Sequence, residues 1–215
     1  MSGRHPARDH DRDRLARVAA RLLAADPGLG VDGAILRARR TAGLPQVQAP
    51  SRSLVHRHLE AVQQMSLGRE GFEHQQAREL REVVDLLDLV QVLLRPDGIQ
   101  VVGRVATHHV LGGVDVHARV HGGDPLHAQA DAFEAAGLQS LRFHTVKTLR
   151  GHLPRDTLEC EGRRYILTGC PSDWELDPAR NLFTGEVIAS CWLEQLRDRA
   201  TGSSSGSDSI SQDRP

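Results

Sequence analysis

The chain has 215 residues, a formal net charge of −1, 39% hydrophobic and 3% aromatic residues. That length can bury one large or two small cores without disulfides, and the scarcity of aromatics leaves Leu, Val and Ala to build them. The same scarcity argues against base stacking. Without a long basic run, bulk electrostatic binding of nucleic acid is disfavoured, and no stretch approaches the ~20 apolar residues of a membrane span.

Cys160, Cys170 and Cys191 are an odd number at unpatterned spacing, and no apolar leader opens the chain, so a soluble protein of the reducing cytoplasm is expected. Of the 27 basic residues only Lys147 is lysine, which we read as GC-rich coding bias rather than a phosphate-recognition device.

Residues 1–12 are charged and aperiodic and residues 200–215 are Ser-rich, so both ends are expected to be disordered. Between them, 13–95 reads as a helical region and 96–199 as an α/β domain. Leu15, Val18, Ala19, Leu22 and Leu23 recur at helical spacing up to Asp26-Pro27. Asp32 is placed to cap a second helix closing near Gly43, and Ser51 or Ser53 a third ending before Gly68. A fourth helix is expected from about Glu73 to Leu94. Ile99 to Val105 and Val114 to Val120 read as strands, Leu126 to Ala136 as a helix closed by Gly137, and Leu141 to Lys147 as a strand. Thr157 to Cys160 and Arg164 to Thr168 flank a Glu161-Gly162 hairpin turn, and Val187 to Arg197 is expected to be a terminal helix. The fold class that follows is α+β, a helical N-terminal region followed by a small mixed sheet with flanking helices.

The strand after Val114 alternates strictly. Val114, Val116, Ala118 and Val120 share one face; Asp115, His117, Arg119 and His121 share the other. Neighbours on that face stand roughly 6.5 to 7 Å apart, near enough for Asp115 and His117 to share a divalent ion or a phosphate.

With Val102-Gly103-Arg104, a gap of ten residues and Asp115-Val116-His117 in view, the back half resembles the nucleotidyltransferase fold of the DNA polymerase beta superfamily, in particular its small bacterial members. Their signature is a hydrophobic residue, Gly, then Ser or Gly, a gap of about ten, then Asp, a hydrophobic residue, and Asp or Glu. The segment around Cys170-Pro171-Ser172-Asp173 and Asn181-Leu182-Phe183-Thr184-Gly185 looks similar too, so the likeness covers about residues 95–197. It implies Mg²⁺ or Mn²⁺ held by carboxylates on one strand and a third from its neighbour, a glycine turn against phosphate, and transfer of a nucleotidyl group from a nucleoside triphosphate to a nucleic acid or protein acceptor.

Carried over residue by residue, Asp115 and His117 take the catalytic and metal positions, and Gly103, Arg104 and Arg119 the nucleotide-binding ones. Three departures stand out: Arg104 replaces a small hydroxyl residue, His117 replaces the second carboxylate, and the Arg164-Tyr165-Ile166 strand offers no third acid. Glu159 is the remaining acid that a metal site could use. Two readings stay open, a divergent transferase, active or inactive, and a non-catalytic module binding nucleotide or nucleic acid.

Other groupings are weighed beside these. Asp115, His117, His121, His108, His109 and Cys160 are a potential site for Mn²⁺ or Zn²⁺. Cys160 and Cys170 with His144 and His152 read as structural rather than nucleophilic, and Gly122-Gly123 as a turn. Arg37, Arg39, Arg40, Arg52 and Arg57 on the front helices permit a helix-turn-helix in which the third helix reads DNA.

Overall fold

The computed structural model describes residues 6–174 and 179–201. In chain order they form α1 (Pro6–Ala25), α2 (Gly30–Ala42), α3 (Arg52–Leu94), β1 (Gly98–Val102), β2 (Val116–His121), α4 (Ala130–Ala135), β3 (Gln139–Thr148), β4 (Gly151–Cys160), β5 (Arg163–Cys170), β6 (Ser190–Trp192) and α5 (Leu193–Ala200). The six strands make one mixed sheet ordered β3-β4-β5-β2-β1-β6, so the chain is α+β.

Helix α1 buries Leu15, Ala16, Ala19, Ala20 and Leu23, one face at helical spacing, and stops before Pro27. Residues 6–12, expected to be unstructured, are helical. The other terminal expectations, for residues 1–5 and 202–215, lie outside the described residues. Helix α2 starts on Leu29 with no side-chain cap, and Asp32 instead pairs with Arg52 on α3. Gly43, at φ 65°, closes it by bonding the Arg39 and Arg40 carbonyls.

Ser51 caps α3, its hydroxyl accepting from the Leu54 N–H at 3.2 Å. Gly68 interrupts that helix with φ 69° and ψ 172°, a backbone shape that side chains disfavour, and the helix resumes at once instead of waiting for Glu73. The break coincides with a division of the core. Val55 and Leu59 join α1 and α2 in one apolar cluster, whereas Leu80, Val83, Leu87, Val90 and Leu94 join the sheet and α5 in another.

Within that second cluster Val116, Ala118 and Val120 of β2 lie beside Ile99 and Val101 of β1 and Leu167 of β5, all at most 2% exposed. Burial of that face leaves the other for polar groups. The hairpin at Glu161-Gly162 forms with φ of 50° and 77°, but its arms are longer than expected, ten and eight residues. The outer strand β3 pairs only with β4, and its register shifts between Ser140 and Arg142.

The expected helix from Val187 is corrected: 190–192 are strand β6, paired with β1 through Gln100↔Trp192 and Val102↔Ser190, and α5 begins only at Leu193. The Gly103 N–H donates to the Ala189 carbonyl at 2.8 Å, so the backbone before Trp192 is drawn to the open edge of β1. The Gln195 side chain then accepts from the Trp192 N–H at 2.9 Å, starting the helix. No helix among the described residues is long and apolar enough to cross a membrane.

Gly122-Gly123 closes the sheet onto the end of α3: Asp124 N–H donates to the Leu94 carbonyl at 2.7 Å, and a Cβ on Gly123 would meet that same oxygen at 2.5 Å. At Gly113, also at positive φ, a Cβ would meet open space. Gly113→Ala is expected to cost about 1 to 2 kcal/mol from backbone strain alone. Gly123→Ala adds a backbone clash and is expected to cost more in urea denaturation.

Candidate functional site

The apolar side of β2 fixes what its other side presents. Because β2 pairs with β1 on one flank and β5 on the other, and β5 with β4, residues at matched positions line up in rows across one face. Parallel pairing of Val116 with Tyr165 puts Asp115 beside Arg164, and Arg164 is paired in turn with Glu159. The next row runs Val102, His117, Ile166, Thr157. The third runs Gln100, Arg119, Thr168, Arg155.

In the first row the position expected to lack a third acid is filled by a cation. Arg164 grips Asp115 with two parallel hydrogen bonds, Nε to Oδ1 at 3.0 Å and a terminal nitrogen to Oδ2 at 2.9 Å. Both carboxylate oxygens are engaged, and Arg164 separates Asp115 from Glu159 along the row. A Mg²⁺ ion needs those oxygens and a charge of the opposite sign beside it, so this donor set does not fit the two-metal arrangement. Among the described residues no group of three or more His, Cys, Asp or Glu is arranged to hold a metal ion, the wider set of His108, His109, His121 and Cys160 included.

Arg104 turns away from the strand and pairs with Glu60 on α3, which also meets His109 Nδ1 at 3.0 Å. Arg104 and Gly103 thereby join a cleft of about 440 Å³ between the helical front and the sheet. Its walls carry Asp115, His117 and Arg164 from the sheet, Gly112 and Gly113 from the loop before β2, and Asp32, Arg52 and His56 from the helices. His117 and Gly103 also line a neighbouring chamber of about 320 Å³ that contains Arg119. Thus Gly103, Arg104, Asp115 and His117 come together in one cleft, Arg119 lies in the next, and Glu159 lines neither.

Burial favours the neutral imidazole at His117 and His56. Protein crowds His117 although its side chain keeps contact with solvent, and that desolvation pushes its pKa below the ordinary value, outweighing the attraction of Asp115. His56 is 8% exposed, and burial, helped by the Arg104 charge, pushes its pKa down to about 4. Its Nδ1 and the Nε of Arg104 are buried with no hydrogen-bond partner. Arg119 is buried too, donating to Gln100 Oε1 at 3.4 Å and to the Arg180 carbonyl.

His56, Arg155 and Glu60 escaped the sequence reading. His56 sits in the apolar stripe of α3 beside Val55 and Leu59, where periodicity marks core and says nothing of function. Arg155 was hidden by Pro154, because proline argues against an interior strand, yet β4 lies between β3 and β5. Of the front arginines, Arg39 donates to the Val47 carbonyl and Arg52 pairs with Asp32, and the first part of α3 faces the cleft through Arg52, Ser53 and His56.

The neutral His56 sets a pH dependence. Its folded pKa lies below the unfolded value of 6.5, so the unfolded chain binds the extra proton and stability falls as pH drops from 6.5 toward 4. Wild type is expected to lose about 3 kcal/mol more than His56→Gln across that window in urea titrations, the equivalent of its depressed pKa.

Comparison with models of protein families, with curated proteins and with solved structures finds no match to this chain.

Proposed function

We propose that this chain is a nucleotidyltransferase-like binding protein, one that holds a nucleoside triphosphate in the 440 Å³ cleft without a metal ion and without transferring the nucleotidyl group. The observation that carries the reading is the two-pronged contact of Arg164 with Asp115. A guanidinium there neutralises the carboxylate that a catalytic metal would need and keeps N–H donors for phosphate oxygens in the metal's stead.

Other features support it. The strand expected to bring the third acid, β5, is the parallel neighbour of β2, and the glycine turn after β1 opens on the same cleft. Arg52, Arg104 and Arg164 each form an ion pair on the cleft wall, and a guanidinium has five N–H donors, so each keeps donors for phosphate oxygens. The unsatisfied Arg104 Nε and His56 Nδ1 are further polar atoms with capacity to spare. Neutral His56 and His117 add hydrogen-bonding groups without adding charge.

Calorimetric titration with ATP and GTP tests this reading. Saturable binding is expected in EDTA, weakening as salt rises and unchanged by added Mg²⁺ or Mn²⁺. Asp115→Ala frees Arg164 and is expected to tighten binding by up to about tenfold, the worth of one charge-assisted hydrogen bond. Binding that requires the metal and disappears in Asp115→Ala would instead favour a working transferase with Asp115 and His117 as ligands.

A further inference from the structure

The chamber next to the cleft differs from it in charge. Every arginine on the cleft wall has a carboxylate partner, whereas among the described residues Arg119 and Arg155 bond only to neutral acceptors: Gln100 Oε1, the Arg180 carbonyl and, at 3.2 Å from Arg155, Thr168 Oγ1. Both guanidiniums line the same 320 Å³ space, from strands on either side of Thr168. Arg119 is 3% exposed and Thr168 4%, so these groups are built into the fold.

We infer that this chamber is a separate oxyanion site for phosphate monoesters, the phosphate lying over Thr168 between Arg119 and Arg155. Two fixed positive charges match the charge of a monoester dianion, and planar guanidiniums suit its oxygens. Among the described residues no carboxylate pairs with either guanidinium. Cys170, the acidic group among the described residues that acts on both arginines, is pushed up to about 11 by burial and is a neutral thiol at physiological pH. Desolvation also holds both guanidiniums below their ordinary pKa, a cost that a bound anion relieves.

The cover of the chamber indicates what the phosphate carries. Residues 179–188 fold back over the sheet, pinned by the Arg180↔Val187 bridge and by Leu149 N–H donating to the Leu182 carbonyl at 2.9 Å. The Asn181 side chain accepts from the Phe183 and Thr184 N–H groups and so holds the Phe183 ring near the rim, where the Arg155 guanidinium stands 5.1 Å from its centroid. Leu182, Phe183, Ile188 and Ile166 form an apolar wall beside the charged floor. The volume accommodates a phosphate with a small ring attached, at the lower end of ordinary ligand pockets of roughly 300 to 1,000 Å³.

This proposal stands without the nucleotide reading of the larger cleft, and its probes contain no nucleoside. The full chain is titrated calorimetrically with phenyl phosphate, with inorganic phosphate and benzoate in parallel, in EDTA at constant ionic strength. Saturable 1:1 binding of phenyl phosphate is expected, with inorganic phosphate weaker and benzoate, a monoanion, weaker still. Arg155→Gln and Thr168→Val are each expected to weaken phenyl phosphate binding, Arg155→Gln by about tenfold or more, the worth of a charge-assisted bond. Arg81→Gln, which removes the same charge from the exposed face of α3, is expected to leave it unchanged. Absence of saturable binding to wild type, an unaltered affinity in Arg155→Gln, or benzoate binding as tightly as phenyl phosphate would overturn the proposal. If Arg155→Gln does not fold, Thr168→Val decides alone. A failed ATP titration leaves this site untouched, and failure here leaves the larger cleft untouched.

Discussion

Burial of Val116, Ala118 and Val120 is the constraint on which the polar face depends. Side chains on a strand alternate, so once those three enter the core, Asp115, His117 and Arg119 must emerge together on the opposite side. Slippage by one residue would drive a carboxylate, an imidazole and a guanidinium into the apolar cluster. The register is therefore fixed by the core, and the chemistry of the face is inherited from it.

What the face then does is decided by its neighbours across the sheet. Asp115 meets Arg164 because β5 runs parallel to β2, a relation created by the long excursion through α4, β3 and β4. The same excursion delivers Arg155 opposite Thr168, two strands away from Arg119. Ion pairs on the cleft wall leave that space close to neutral, while the smaller chamber keeps two charges without a counter-ion among the described residues. Two adjacent cavities on one sheet thus differ in the charge they offer, and His117 stands where they meet.

Much of this was legible in the chain itself. The helices at Leu15 to Leu23 and up to Leu94, the alternation of β2 and the Glu161-Gly162 turn follow from periodicity and turn chemistry alone. Elements governed by distant partners were not. Residues 190–192 carry apolar spacing that suits a helix, but the free edge of β1 makes them a strand; Pro154 disguised the first half of β4, and Asp32, well placed as a cap, found Arg52 instead. The pairing of Arg164 with Asp115 spans 49 positions, and no local pattern announces it.

The edge strand β3 runs for ten residues with no strand on its outer side among the described residues. Such an edge invites a further strand from a second copy to zip onto it, and sheets resist this with irregularity and charge. Here the register shift after Ser140 breaks the flatness, and Arg142, His144 and Lys147 stud the strand. The only lysine in the molecule thus sits where a flexible, strongly hydrated cation is best suited to keeping identical chains apart.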